Sequence, residues 1–215
     1  PYTAQDPRDF YRAGYYPYGF NPEVGSFSIP VEETVRRMLP GPGPDSDPTF
    51  PSFTFLPELG MYEETCDAAW EHHKHLPHGN PAGGVTNQLC LYGPPESLSE
   101  YCMQAQLASY VQYRALVEGY AAKMWTEHTG FLIWKTQSPW LGLRGQLYDW
   151  FLEPTAAFFA VARASEPVHV QLRPLPGGGR LQGVNYGLAD VRGVLRCRAV
   201  ALDGRTLVDL SAEAT

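Results

Sequence analysis

The stretch GYYPYGFNPEVGS, residues 14–26, carries a single carboxylate, Glu23, behind an aromatic run. Pro22 stiffens the backbone before it and Gly25 frees the backbone after it. An acid held in this way can give a proton, take one, or attack an electrophile. The same acid on an open surface would only be solvated. A second group of reactive types is WKTQSPW, residues 134–140, in which Trp134 and Trp140 bracket Lys135 and Gln137. A third is EHHKHLPH, residues 71–78, with His72, His73, His75 and His78 close together. The histidines invite a zinc reading, but a structural zinc site wants defined spacing and often cysteines. Cys66 and Cys90 stand too loosely to complete one. Neither a metal nor a cofactor is expected.

Composition narrows the elements that must position these groups. The chain has 215 residues, 44% hydrophobic and 18% charged, which is globular rather than disordered. Its 21 glycines and 20 prolines make it rich in loops and rigid corners. A net charge of −7, spread without a basic run, argues against a nucleic-acid partner. No apolar run approaches membrane-spanning length, so no membrane partner is expected either. The first residue is Pro1, with neither an initiator Met nor a signal-peptide pattern, which suggests a processed or excised piece of something longer. Cys66, Cys90, Cys102 and Cys197 lack C-x-x-C spacing and read as mostly buried thiols, leaving the compartment open.

Residues 15–21 read as a short strand that ends just before Glu23. Pro30 then opens a helix with Glu32 and Glu33 early, Arg36 and Arg37 late, and Pro40 as its stop. Residues 41–57 are Gly- and Pro-rich and read as a surface excursion. Residues 61–75 read as helical. Ser97 and Glu100 form a capping box ahead of a long helix. In it Tyr101, Ala105, Ala108, Val111 and Ala115 recur at helical spacing, and Trp125 at its end is expected in the core. Residues 131–134, FLIW, read as a strand buried on both faces. A second helix runs from near Pro154 through TAAFFAVARA. After Glu166 the texture turns to antiparallel strands, with a turn at Asp203–Gly204.

This order predicts an α/β fold: the C-terminal portion of a (β/α)8 TIM barrel, residues 1–165, followed by the first strands of an immunoglobulin-like β-sandwich, residues 166–215. The Gly/Pro-rich segment at about 40–60 is an insertion in the first part. Reactive residues of such barrels lie at the C-terminal ends of the strands, where Glu23 and residues 134–140 both fall. Two barrel strands cannot close a barrel.

Long runs of the chain, among them GFNPEVGSFSIPVEETVRRMLP, WEHHKHLPHGNP and LIWKTQSPWLGLRGQLYDWFLEPTAAFFAVARASEPVHVQL, resemble the plant-type mannosylglycoprotein endo-β-mannosidases of glycoside hydrolase family 2. The resemblance covers residues 10–39 and 60–172 and fades at the Gly/Pro excursion and after Leu172. It implies a retaining glycosidase acting on the Man-β-1,4-GlcNAc linkage of N-glycans or glycopeptides. NPEVGS matches the segment that carries the family's nucleophile, so the resemblance gives that role to Glu23. Trp134 falls where the family places a Trp on the floor of the substrate pocket. Lys135 and Gln137, in the loop above, can bind sugar hydroxyls or simply shape the loop. Trp140 can stack on a sugar or anchor packing. The family's W-E-x-H-K is matched by Trp70, Glu71, His73 and Lys74, which brings Trp70 and His73 into the substrate-binding set.

Retention needs two carboxyl groups, and the family's acid/base Glu follows an Asn at an earlier barrel strand. No Asn-Glu dipeptide occurs in the 215 residues. The implied partner is therefore the N-terminal part of the same precursor, and the isolated chain is expected to be inactive and prone to aggregate. Two further readings remain open. One is an exo-β-mannosidase or exo-β-glucosaminidase of the same family; the other is a truncated, non-catalytic glycan-binding fragment.

Overall fold

A computed structural model describes residues 6–26, 28–39, 41–43, 46–74, 84–144 and 146–214. After a 3-10 turn at Pro7–Tyr11, the first half of the chain forms β1 (Phe20–Val24), α1 (Glu32–Met38), β2 (Ser52–Leu56), β3 (Met61–Thr65), α2 (Ala68–Lys74) and α3 (Gly84–Leu89). The second half forms α4 (Leu98–Ala121), β4 (Gly130–Ile133), α5 (Ala156–Ala164) and four longer strands. These last are β5 (Val168–Leu175), β6 (Gly178–Asn185), β7 (Gly193–Val200) and β8 (Thr206–Ala214).

β1 and β4 pair in parallel although more than a hundred residues separate them, and α4 is the main element of the crossover. Val24 is fully buried on the helix side of this pair. On the other side Phe20 is 50% and Leu132 58% exposed, so one face of the parallel pair is apolar and uncovered. The expectation of a β4 buried on both faces is corrected here: its covered face meets the helices, and nothing among the described residues covers the other.

α4 begins as its sequence dictates. The Ser97 hydroxyl accepts the backbone N–H of Glu100 at 3.1 Å, and the Glu100 carboxylate reaches back to the N–H of Glu96 at 2.9 Å. Its inward stripe is only partly the expected one. Tyr101, Ala105 and Ala115 are buried, but Val111 is exposed. Gln104, Ser109 and Gln112 are buried instead, and Gln112 accepts the Ser26 hydroxyl at 3.4 Å. The last turns of α4 are buried all round, by α5, the 3-10 turn and β5, with Val24 of β1 in the same apolar cluster. Trp125, expected in the core, is 75% exposed: the chain leaves the helix with Trp125 itself at a left-handed φ of 66°, which turns the ring outward.

Gly119 shows how close the packing is. A β-carbon there would meet the backbone carbonyl oxygen of Phe10 at 2.5 Å and its carbon at 2.7 Å. Helix propensity alone favours Ala over Gly by about 1 kcal/mol, but overpacking against immovable backbone costs about 1–3 kcal/mol. Gly119→Ala is therefore expected to lower the melting temperature of the full-length protein, measured by calorimetry. An unchanged or raised melting temperature would mean that Phe10 does not lie against α4.

Two expectations for residues 41–75 are corrected. SFTFL in the Gly/Pro-rich excursion is β2, and it pairs antiparallel with β3 from Ser52↔Thr65 to Leu56↔Met61. Residues 61–75 are not one helix: β3 comes first, and α2 starts only after Asp67, whose carboxylate accepts the N–H groups of Ala69 and Trp70 at 3.0 Å. Cys90 and Cys102 are buried and Cys66 and Cys197 partly so, all as free thiols.

The strands after residue 166 form two antiparallel hairpins, β5–β6 and β7–β8, the second turning at Asp203–Gly204 with Gly204 at φ 86°. β5 presents His169 and Gln171 to α4 and turns Val168, Val170 and Leu172 outward. It thus meets the helix through polar groups and leaves its apolar side uncovered.

Candidate active site

β1 does not run evenly beside β4. Asn21 pairs with Phe131 and Val24 with Ile133, so Pro22 and Glu23 together stand opposite Leu132. This is a β-bulge, and Asn-Pro-Glu explains it: Pro22 has no N–H to give the ladder, and the extra residue is accommodated by bending the strand. The Glu23 N–H turns to the Asn21 side chain, which accepts it at 3.1 Å. Asn21 is buried, and its amide NH2 donates to the Tyr120 hydroxyl of α4 at 2.8 Å. Glu23 itself is exposed, and its carboxylate has no hydrogen-bonding or ionic partner among the described residues. The bulge thus aims a solvated, unengaged acid from the C-terminal end of a parallel strand.

Trp134 follows β4 directly, and its N–H donates to the Val24 carbonyl at 2.8 Å. That bond places Trp134 beside the residue after Glu23. Its ring is 45% exposed, and the peptide to Lys135 is cis. The Lys135 ammonium lies 5.7 Å from the Trp134 ring centroid. Burial, and secondarily the Arg144 guanidinium, push the Lys135 ammonium below its ordinary value. Arg144 is itself pushed down by burial, with Tyr113 opposing. Glu23, Trp134 and Lys135 therefore gather at adjacent strand ends.

Gln137 is half-buried in a loop that folds back on itself, bridged to Tyr148, whose N–H donates to the Thr136 carbonyl at 2.8 Å. The other expected residues form a second group. The rings of His73 and Trp140 stack with centroids 6.4 Å apart at 22°. His73 Nδ1 lies 3.3 Å from the Leu141 carbonyl, and the Leu143 N–H donates to the His73 carbonyl at 2.7 Å. These contacts tie α2 to the loop after β4, so Trp140 and His73 engage each other. Trp70 is corrected as a sugar contact. It is 1% exposed, its indole N–H donates to the Thr49 carbonyl at 2.7 Å, and its ring stands edge-on to Tyr101. No ring face is left for a ligand.

Among the described residues no cluster of three or more His, Cys, Asp or Glu could hold a metal ion. His75 and His78 lie outside the described residues. No described helix is long and apolar enough to cross a membrane. Asn21 and Tyr120 are the site residues that sequence reasoning missed. The signal was present in Asn-Pro, a dipeptide that initiates turns, but its partner lies 99 positions away on a helix.

A carboxylate and an aromatic ring stand side by side at parallel strand ends, above an apolar sheet face, an arrangement that by itself suits more than one class of site. Known relatives make the class specific. The chain belongs with the glycoside hydrolases of family 2. It is 49% identical over 172 residues to the mannosylglycoprotein endo-β-mannosidase of Lilium longiflorum, matching 80% of this chain and 17% of that protein. It is 40% identical over 165 residues to the exo-β-D-glucosaminidase of Streptomyces avermitilis, matching 71% of this chain and 16% of that protein. The chain thus spans about a sixth of the length of the relatives it matches. The solved exo-chitosanase of Amycolatopsis orientalis shares the fold, with a TM-score of 0.73 at 22% identity over 99% of this chain and 24% of that one. No family model matches the chain.

Proposed function

We propose that this chain is the nucleophile-bearing part of a retaining glycoside hydrolase that cleaves the Man-β-1,4-GlcNAc linkage of N-glycans. The observation that carries the reading is the bulge that presents Glu23, exposed and without a described partner, beside Trp134. A nucleophilic carboxylate must be held by a rigid strand end rather than a mobile loop, and the β1 bulge gives Glu23 such a seat. In the proposed reaction a Glu23 oxygen attacks the anomeric carbon of mannose as the C–O bond to GlcNAc breaks. The departing oxygen takes a proton from a second carboxyl group outside this chain, about 5–5.5 Å away in retaining enzymes. Water then displaces Glu23 from the mannosyl-enzyme, with the second carboxylate as base, and the β configuration is retained. Trp134 offers the sugar a stacking face, and Lys135 and Gln137 stand next to it for hydroxyls.

The likeness to the Lilium enzyme supports the endo reading. The likeness to the exo-β-D-glucosaminidases supports a second one, removal of single terminal glucosamine residues by the same Glu23 chemistry. The full-length protein incubated with a glycopeptide bearing Man-β-1,4-GlcNAc separates them. Release of an intact oligosaccharide with mannose at its reducing end is the expected outcome. Release of single glucosamine units from a chitosan oligomer alone would favour the exo reading. Turnover of neither would leave the chain a glycan-binding piece without catalysis.

A further inference from the structure

The bulge that frees Glu23 also removes the means by which a strand normally holds a residue in place. Pro22 gives the ladder no donor, and the Glu23 carboxylate has no partner among the described residues that could fix its direction. Its aim therefore depends on its backbone. The Glu23 N–H is committed to the Asn21 side-chain oxygen at 3.1 Å, and the Asn21 NH2 to the Tyr120 hydroxyl at 2.8 Å. Both ends of the Asn21 amide are thus engaged, which sets its orientation, and the residue is buried where water competes poorly.

Tyr120 is a firm anchor. It is buried on α4, its ring centroid lies 4.6 Å from Phe131 of β4 and 4.5 Å from His128, and Tyr16 stacks at 6.3 Å. Burial, opposed by the Asn21 hydrogen bond, pushes its phenol up to about 12, so the hydroxyl is neutral at any working pH. It can then accept from Asn21 without carrying charge into the strand.

Building on the reading of Glu23 as nucleophile, we propose that Asn21 and Tyr120 are positioning residues that lock the bulge and hold the Glu23 carboxylate on its line of attack. A carboxylate nucleophile must be held within about 0.5 Å of its productive geometry, and a misplacement of about 1 Å costs about 100-fold in rate. Losing the lock lowers kcat and leaves KM nearly alone, because the substrate contacts of Trp134 and its loop are on the other strand.

The test uses the full-length enzyme with Asn21→Ala and Tyr120→Phe. The second keeps the aromatic packing and so keeps the fold. Each is assayed for kcat, KM, melting temperature and labelling by 2-deoxy-2-fluoromannosyl fluoride, with the labelled residue mapped. The lock predicts a loss in kcat of about 100-fold for Asn21→Ala and about 10-fold for Tyr120→Phe, with KM within about twofold and Glu23 still the labelled residue. Wild-type kcat in Tyr120→Phe, with wild-type label on Glu23, would overturn the lock and leave the nucleophile assignment standing. Label on another residue in the wild type would instead overturn the nucleophile assignment on which the lock rests.

Discussion

Glu23→Gln in the full-length enzyme lowers kcat by on the order of 10⁴-fold or more, while KM and melting temperature stay close to wild type. The size follows from the role. Glutamine keeps the shape of the side chain but has no charge to form the bond to the anomeric carbon, so the first of the two displacements has no nucleophile. The absence of a stability effect follows from the structure. Glu23 is exposed and its carboxylate has no partner among the described residues, so its change falls among surface substitutions, within about 0.5 kcal/mol. Glu23→Ala makes a sharper version of the same prediction. A small anion such as azide fits the space vacated by the carboxylate and attacks from the same face. That single displacement gives a glycosyl azide of inverted configuration, and added azide should restore turnover of a substrate with a good leaving group. Proton NMR of the product reports the configuration directly. Retained configuration, or wild-type kcat in Glu23→Gln, would contradict the role.

Glu118→Ala should show the opposite signature, a large loss of stability with little direct effect on chemistry. Glu118 on α4 has a side chain only 5% exposed. It accepts the Tyr11 hydroxyl at 2.6 Å, Arg114 Nε at 2.7 Å and the ring N–H of His169 at 3.0 Å, while its backbone carbonyl accepts the Gln171 side chain at 2.9 Å. One carboxylate thus joins the 3-10 turn, α4 and β5. Burial, reinforced by the hydrogen bond to Glu118, holds the Tyr11 phenol well above its ordinary value, and Glu118 raises Arg114 as well. When Glu118 is lost, Arg114 can turn to water because it is half-exposed. Tyr11 and His169 are buried and cannot, and each donor left unpaired costs about 1–3 kcal/mol. The expected total is about 3–5 kcal/mol, the range for removing one partner of a buried charged group. Denaturant unfolding of the full-length protein measures it, and hydrogen exchange should rise first in β5. Below its melting transition the variant should keep kcat within a fewfold of wild type, which separates it from Glu23→Gln. A loss under 1 kcal/mol would show that water reaches this cluster.

How much of this could be read from the residues depends on how local the cause was. The Ser97–Glu100 box, the helix of TAAFFAVARA and the Asp203–Gly204 turn are specified by neighbours in sequence, and each is where its residues place it. That one strand carries Glu23 and the next leads to Trp134 was also legible, but the first strand's bounds were not. Residues 15–19 lie outside it, and β1 runs through Pro22 and Glu23 to Val24 because the bulge absorbs the proline. β2 and β3 were hidden by composition: prolines and glycines flank an alternating SFTF, and Gly60 at φ 62° makes the turn that pairs it with β3. Trp70 and Trp125 exchanged their expected places because size and aromaticity do not say which way a ring points. Trp70 sits on the inward side of α2, and Trp125 lies beyond the end of α4 on a left-handed residue. The Asn21–Tyr120 bond was illegible for a third reason. It joins positions 99 apart, and the packing of the end of α4 against β1 brings them together.

In the proposed reaction Glu23 forms the covalent bond to the sugar. The most direct measurement is to trap the full-length enzyme with a 2-deoxy-2-fluoromannosyl donor, digest it, and locate the added mass by tandem mass spectrometry. The expected result is a single fluoromannosyl group in the peptide containing NPEVGS, on Glu23, with inactivation slowed by a competing substrate. A label on any other carboxylate, with Glu23 unmodified, would contradict it.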